Sequence, residues 1–270
     1  MLAMTSAPAI LVFDSGLGGL TVFCEVAAAR PDARYVYAAD DAFFPYGRRD
    51  EAALVARVLE VMGQLIAAHR PDLVVIACNT ASTLVLPQLR AEFKVPFVGT
   101  VPAIKPACAA SNSKLVTVLG TEATVKREYT YALIREHGNN CAVTLIGSPR
   151  LVELAEAELR GNSASDAEIL AEMTPCFVEA ERRRTDTVVL ACTHYPLLLQ
   201  RLEKLALWPV NFVDPAPAIG RRVVDLLGPA RPSANPLPAQ AIFTSGKAPT
   251  TILAAALARY GLAAGASASV

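Results

Sequence analysis

The sequence predicts an α/β fold of two similar domains, each a mainly parallel sheet flanked by helices, with the functional site in the cleft between them. Three observations lead there. Short β-branched runs alternate with stretches of helical periodicity along most of the chain, as parallel sheets require. The stretch Asp72-Leu-Val-Val-Ile-Ala-Cys78 is matched by Asp186-Thr-Val-Val-Leu-Ala-Cys192, with Cys192 lying 114 residues beyond Cys78. And 270 residues is near the size at which one core stops growing.

The elements follow in order. Ile10 to Phe13 is a strand, leading through DSGLGG into a helix that ends near Ala29; residues 33–39 are a second strand. Over 50–69 the apolar positions Leu54, Val55, Val58, Leu59, Met62, Leu65 and Ile66 form one helical stripe, with Asp50 and Glu51 at its start and Arg70-Pro71 at its end. The run 73–77 is continuous and apolar, as in a strand covered on both faces, and a helix to about Phe93 and a short strand at 97–98 follow. The pattern restarts with a strand at 115–120, a helix over 121–138 closed by Gly138, and a strand at 142–147. Helices over 150–160 and 166–183, the strand 187–191 and a helix from about Pro196 come next. NFVD, a helix over 216–227, AIFTSG and a final helix precede the weak tail GASASV. Crossings near Gly99–Pro106 and Leu207–Pro215 give a first domain of residues 1–101 plus 210–270 and a second of 102–209.

Composition narrows the function. Hydrophobic residues make up 53%, yet no uninterrupted apolar run reaches the 18 or so residues that span a bilayer. The opening MLAMTSAPAI lacks a charged segment followed by a long apolar one, so no secretory signal is expected and the protein is placed in the cytoplasm. Lys plus Arg and Asp plus Glu each number 25, and the basic clusters are short, which argues against nucleic acid as a partner. The six Cys form no C-x-x-C pair and read as free thiols. Cys192 and His194 have no second Cys/His pair to complete a zinc set, so no metal is expected.

In open α/β sheets ligands sit beyond the carboxyl ends of the strands, where Cys78 and Cys192 stand. Asp14 and Ser15 open a glycine turn before a helix, which reads either as an anion-binding turn or as a tight turn capped by Asp14. The turn matches neither a dinucleotide fingerprint nor a phosphate-binding P-loop. Asn79, Thr80 and Thr193 can donate to carboxylate oxygens, and His194 can assist its neighbouring thiol; His69 and His137, in helical stretches, receive no role. One thiolate and one base suffice for acyl transfer. Two separated thiols suit a different chemistry, in which a proton is taken from one face of a carbon and one is returned on the other. A thiol with a pKa of about 8.5 has both forms accessible near neutrality.

With these residues in hand, the sequence resembles glutamate racemases of the cofactor-independent Asp/Glu racemase superfamily. The resemblance runs from about Ile10 to Gly246 and rests on Asp14-Ser15-Gly16 with Gly18-Gly19, Pro45-Tyr46-Gly47, Ala77-Cys78-Asn79-Thr80 and Ala191-Cys192-Thr193-His194. It implies interconversion of L- and D-glutamate to supply peptidoglycan synthesis, without pyridoxal phosphate or another cofactor. By position it implies that Cys78 takes the α-proton of D-glutamate and Cys192 that of L-glutamate, assisted by Asp14 and His194. It further implies that Ser15, Tyr46, Gly47, Asn79, Thr80 and Thr193 hold the substrate, that Thr121 and Thr124 touch it, and that Glu156 is the acidic residue near the site. Many relatives have apolar residues after the Cys-Pro or Ser-Pro that precedes this Glu; here Ser148-Pro149 leads to Arg150. Relatives are often homodimers, and some proteobacterial ones respond to a peptidoglycan precursor. Three alternatives stay open: a racemase of aspartate or a related acid, a sensor that binds an acidic amino acid without turning it over, and a redox sensor.

Overall fold

The computed structural model describes residues 7–138, 140–231 and 239–264, and the chain divides into two compact units. The tail GASASV and the first six residues of the opening segment lie outside the described residues. Unit 1 comprises Met1–Thr100 and Ala216–Val270; unit 2 is Val101–Pro215.

The first pass through unit 1 is β1 (Ala9–Asp14), α1 (Leu20–Ala29), β2 (Arg34–Ala39), α2 (Glu51–His69), β3 (Leu73–Ile76), α3 (Asn79–Glu92) and β4 (Phe97–Gly99). Between β2 and α2, Tyr46–Arg48 form a short 3-10 turn. Asp50 caps α2 by accepting from the Ala53 N–H at 3.0 Å, and Arg70 ends it in the left-handed conformation, φ 45°. By length and composition alone α2 could cross a bilayer. Its Leu54, Val58, Val61, Met62 and Leu65 instead join Leu11, Phe13, Val74 and Ile76 in a core, each such burial contributing about 1.5–3 kcal/mol.

Unit 2 runs α4 (Ile104–Ala110), β5 (Leu115–Thr121), α5 (Glu122–Val125), α6 (Glu128–His137), β6 (Ala142–Ser148), α7 (Leu151–Leu159), α8 (Asp166–Met173), β7 (Glu179–Ala180), β8 (Arg183–Arg184), β9 (Thr187–Ala191), α9 (Leu199–Leu205) and β10 (Asn211–Val213). The chain then returns to unit 1 with α10 (Ala216–Leu227), β11 (Ala239–Phe243), α11 (Thr251–Arg259) and β12 (Leu262–Ala264).

Both main sheets are parallel: β12-β11-β2-β1-β3-β4 in unit 1 and β10-β9-β5-β6 in unit 2. In unit 2 the alternation along β9 serves two cores. Val188 and Leu190 pack with α7, α8 and α9, whereas Val189 and Ala191 pack with α4.

Three expectations need correction. The helix over 166–183 stops at Met173; Pro175 follows in a 3-10 turn, and Glu179–Arg184 form a hairpin whose turn residues Glu181 and Arg182 have φ 51° and 63°. The helix over 121–138 breaks at Lys126–Arg127 into α5 and α6. Gly138 closes α6, as expected, with φ −64°. The return to the first unit comes at Ala216 rather than residue 210, because Asn211–Val213 hydrogen-bond beside Thr187–Val189 of β9.

Candidate active site

In unit 1 the strands β1 and β3 are neighbours, and the chain leaves them toward opposite edges of the sheet. That is the switch point at which open α/β sheets bind ligands. Phe13 is level with Ile76, and the Ala77 N–H donates to the Phe13 carbonyl at 2.7 Å. Asp14 and Ser15 are thereby brought beside Ala77 and Cys78. The Cys78 thiol, 5% exposed, lies 3.7 Å from Ser15 Oγ. Cys78 is also the N-cap of α3, where the helix dipole and the exposed N–H groups favour a thiolate. Asn79 and Thr80 form the first turn of α3 and are buried. Neither Oδ1 nor Nδ2 of Asn79 has a hydrogen-bond partner among the described residues.

The glycine turn behaves differently from an open anion site. Gly16 and Gly19 N–H donate to Asp14 Oδ2 at 3.2 and 3.0 Å, so two of its donors serve the chain's own carboxylate. Asp14 thus braces the turn ahead of α1. Ser82, which ends the polar run after β3, is a brace: its Oγ donates to the Ile76 carbonyl and accepts from the Thr100 N–H.

Tyr46 packs in the same core as Cys78 and is 2% exposed, with half-buried Gly47 next in the turn. Its hydroxyl donates to Asp40 Oδ2 at 2.7 Å. Burial first, then the Asp40 carboxylate, push that hydroxyl well above its ordinary pKa, so it stays a donor. Asp40 is itself held by Arg57 Nη2 at 2.6 Å and by Thr244 Oγ1 at 2.6 Å.

Unit 2 repeats the arrangement. β5 and β9 are adjacent at its switch point, with Gly120 level with Ala191, so Thr121 comes beside Cys192. Thr121 accepts from the Thr124 N–H at 3.1 Å, and the two hydroxyls are 2.9 Å apart. Cys192, Thr193 and His194 are all buried. Cys192 Sγ is 3.8 Å from His194 Nδ1, and His194 Nε2 is 3.1 Å from Glu156 Oε1 on α7. Arg160, one turn on, donates to the other Glu156 oxygen at 2.9 Å. Tyr195 is fully buried beside this thiol; burial, then the Cys192 charge, push its hydroxyl well above the ordinary value.

Every candidate residue therefore falls into one of two clusters. Asp14, Ser15, Tyr46, Gly47, Cys78, Asn79 and Thr80 belong to unit 1; Thr121, Thr124, Glu156, Cys192, Thr193 and His194 belong to unit 2. Sequence reading missed Asp40, Arg57, Thr244, Arg160 and Tyr195. Only Arg160 carried a local signal, as the i+4 partner of Glu156 on one helix.

The acids of the repeated motif stand at the opposite ends of their strands. Asp72 Oδ2 accepts from the Ala9 N–H at 2.8 Å, fastening the start of β1. Asp186 accepts from Asn112 and Ser113 N–H at 2.8 and 2.7 Å, just ahead of β5. Each acid anchors the neighbouring strand while the thiol six residues on reaches the functional end.

Residues 22–223 match the family model for Asp/Glu/hydantoin racemases. A glutamate racemase of Brucella canis is 54% identical over 242 residues, covering 88% of this chain and 87% of that one. The fold matches Escherichia coli glutamate racemase, solved in complex with L-glutamate and the activator UDP-MurNAc-Ala, with a TM-score of 0.86, 40% identity and coverage of 95% and 96%. It also matches glutamate racemase from Aquifex pyrophilus, with a TM-score of 0.67, 31% identity and coverage of 87% and 89%. The chain belongs to the Asp/Glu/hydantoin racemase family, on its glutamate racemase branch.

Proposed function

We propose that this chain interconverts L- and D-glutamate by a two-base mechanism, supplying D-glutamate for peptidoglycan in the cytoplasm. The observation that carries the mechanism is the duplication: one buried thiol at the switch point of each sheet, each with its own supporting polar group. In the proposed cycle glutamate is held by residues of both clusters. A Cys192 thiolate takes the α-proton of L-glutamate, and the Cys78 thiol delivers its proton to the opposite face; the reverse direction exchanges the roles. Each turnover moves one proton onto one sulfur and one off the other.

The two thiols are equipped differently. Cys78 relies on the N-terminus of α3, worth about half a positive charge. Cys192 relies on His194, whose outer nitrogen faces Glu156; with Glu156 accepting, Nε2 carries the ring proton and Nδ1 presents a lone pair to the thiol. Positioned acid–base groups of this kind contribute about 10²–10⁴-fold. The carbanion needs donors on its carboxylate, and Asn79 is the clearest, since a buried amide without partners costs about 1–3 kcal/mol per group until something satisfies it. Ser15, Tyr46, Gly47, Thr80, Thr121, Thr124 and Thr193 complete the proposed substrate shell.

A cell-wall nucleotide precursor is proposed as an effector, supported by the activator in the E. coli relative, and the proposed assembly is a homodimer. Sedimentation with and without UDP-MurNAc-Ala, alongside activity, tests both.

The deciding experiment follows L-glutamate in deuterated buffer without added cofactor, for the parent chain, Cys78→Ser and Cys192→Ser. The expected result is racemisation with deuterium at Cα, lost in both variants, and no turnover of L-aspartate. Binding of glutamate with neither racemisation nor exchange would overturn the enzymatic reading in favour of a sensor.

A further inference from the structure

Unit 2 holds two neighbouring thiols that the proton-transfer chemistry does not use. Cys108 lies on α4 and is fully buried; Cys141 lies half-buried immediately before β6. The Cys141 thiol donates to the Cys108 carbonyl oxygen, Sγ to O 3.5 Å, which brings the two residues side by side. They share one apolar cluster with Ile104, Val116 and Val189. Lys114 Nζ donates to the same Cys108 carbonyl at 3.3 Å, closing the polar side of the pair. Cys192 belongs to the core on the other face of the sheet, so the pair is separated from the catalytic thiol by the sheet itself.

We propose that Cys108 and Cys141 are a non-catalytic dithiol modification site, which a two-electron thiol oxidant closes into an intramolecular disulfide joining α4 to the entrance of β6. All six cysteines are free in the structure, so the dithiol is the resting form. The order of events follows from access. Cys141 is the more exposed sulfur and attacks first. With a diazene oxidant a sulfur–nitrogen bond forms, and the other nitrogen takes the Cys141 proton. Cys108 sulfur then attacks Cys141 sulfur, the sulfur–nitrogen bond breaks, and the Cys108 proton passes to the departing hydrazine. Two thiols lose two electrons and two hydrogens; the diazene gains them. The second step is slow near neutrality, because burial, the leading cause, holds the Cys108 thiol above its ordinary value and the thiolate is the attacking form.

The test uses the full chain treated with diamide near neutrality and at about pH 9, followed by N-ethylmaleimide trapping and digestion without reduction. The expected product is a Cys108–Cys141 linked peptide pair two hydrogens lighter than its dithiol form, appearing faster at the higher pH. Cys108→Ala should stop the reaction at a trapped adduct on Cys141. Cys141→Ser should leave Cys108 unmodified in the folded protein while racemising glutamate as the parent does. The proposal is overturned if Cys141 stays as an adduct in the parent at both pH values, if it pairs with a cysteine of another molecule, or if the link forms only after denaturation.

Discussion

A carboxylate decides what His194 can offer Cys192. Glu156 Oε1 faces the outer ring nitrogen at 3.1 Å while Arg160 occupies Oε2, so this side chain acts as acceptor on both sides. Glu156→Gln keeps the shape but presents an amide whose N–H₂ can face the imidazole and reverse the tautomer. The lone pair then points away from the thiol. The expected result is a fall in kcat/KM of about 10²-fold, at the lower end of what a positioned acid–base group contributes. The enantiomers have equal free energy, so kcat/KM must fall equally in both directions; a difference between Cys78 and Cys192 chemistry can show only in kcat and KM taken separately. Steady-state kinetics from each enantiomer, with a melting curve to confirm folding, make the check. Unchanged kcat/KM would remove Glu156 from the mechanism. Arg160→Met should cost less, since Arg160 is 42% exposed and the carboxylate it leaves keeps its contact with His194.

At the scale of elements, the approach of the β1–α1 turn to β3 sets where Cys78 sits. A Cβ placed on Gly19 would lie 2.8 Å from Asp14 Cβ and 2.9 Å from Ala77 Cβ, with the Ala77 carbonyl oxygen at 3.1 Å. Both neighbours are rigid parts of the strand ends, so one must shift. Gly19→Ala should therefore destabilise by about 1–3 kcal/mol, and should lower activity beyond that because Ala77 precedes the thiol. Urea midpoints and racemisation rates at matched folded fraction separate the two effects; full activity would show that Cys78 tolerates the shift. This joint also shows what the sequence can convey. The strand ends were legible because a buried parallel strand is a continuous apolar run, so the polar residues after it stand out at Cys78 and Cys192. Helix α2 was legible from its stripe and its Asp50 cap. The 166–183 stretch was misread because Glu and Arg at 179–184 fit a solvated helix face as well as an exposed hairpin, and only backbone geometry at Glu181 and Arg182 separates them. Asp40 with Thr244 was invisible: their side chains meet at 2.6 Å across 204 residues of sequence, a pairing no local pattern encodes.

For the whole molecule, the chain leaves unit 1 at Thr100 and returns at Ala216, so this unit must fasten two distant segments. A buried charge pair is one fastening. Arg30 holds Asp32 bidentately, at 2.8 and 2.9 Å, while Arg30 Nη1 donates to the Gly228 carbonyl and the Arg231 N–H donates to Asp32. The hydrogen bonds from Arg30 lead in holding the Asp32 carboxyl at about 2, against an ordinary value of 3.8, outweighing a burial effect that would raise it. A depressed acid stabilises the fold above its unfolded pKa and loses that contribution as pH falls through its folded value. Asp32 should therefore support unit 1 fully above about pH 5 and progressively less toward pH 2, with a total on the order of 2 kcal/mol. Asp32→Asn removes the titrating group and leaves Arg30, only 2% exposed, without its counter-charge, at a cost of about 3–5 kcal/mol near neutrality. The gap between parent and variant, measured by urea unfolding, should thus be widest at neutral pH and narrow steadily below pH 4. A gap that stays constant down to pH 2.5 would mean that Asp32 does not carry this acid sensitivity and that the segments are held by α1 packed on α10, by β11 paired with β2 and by the Asp40–Thr244 contact.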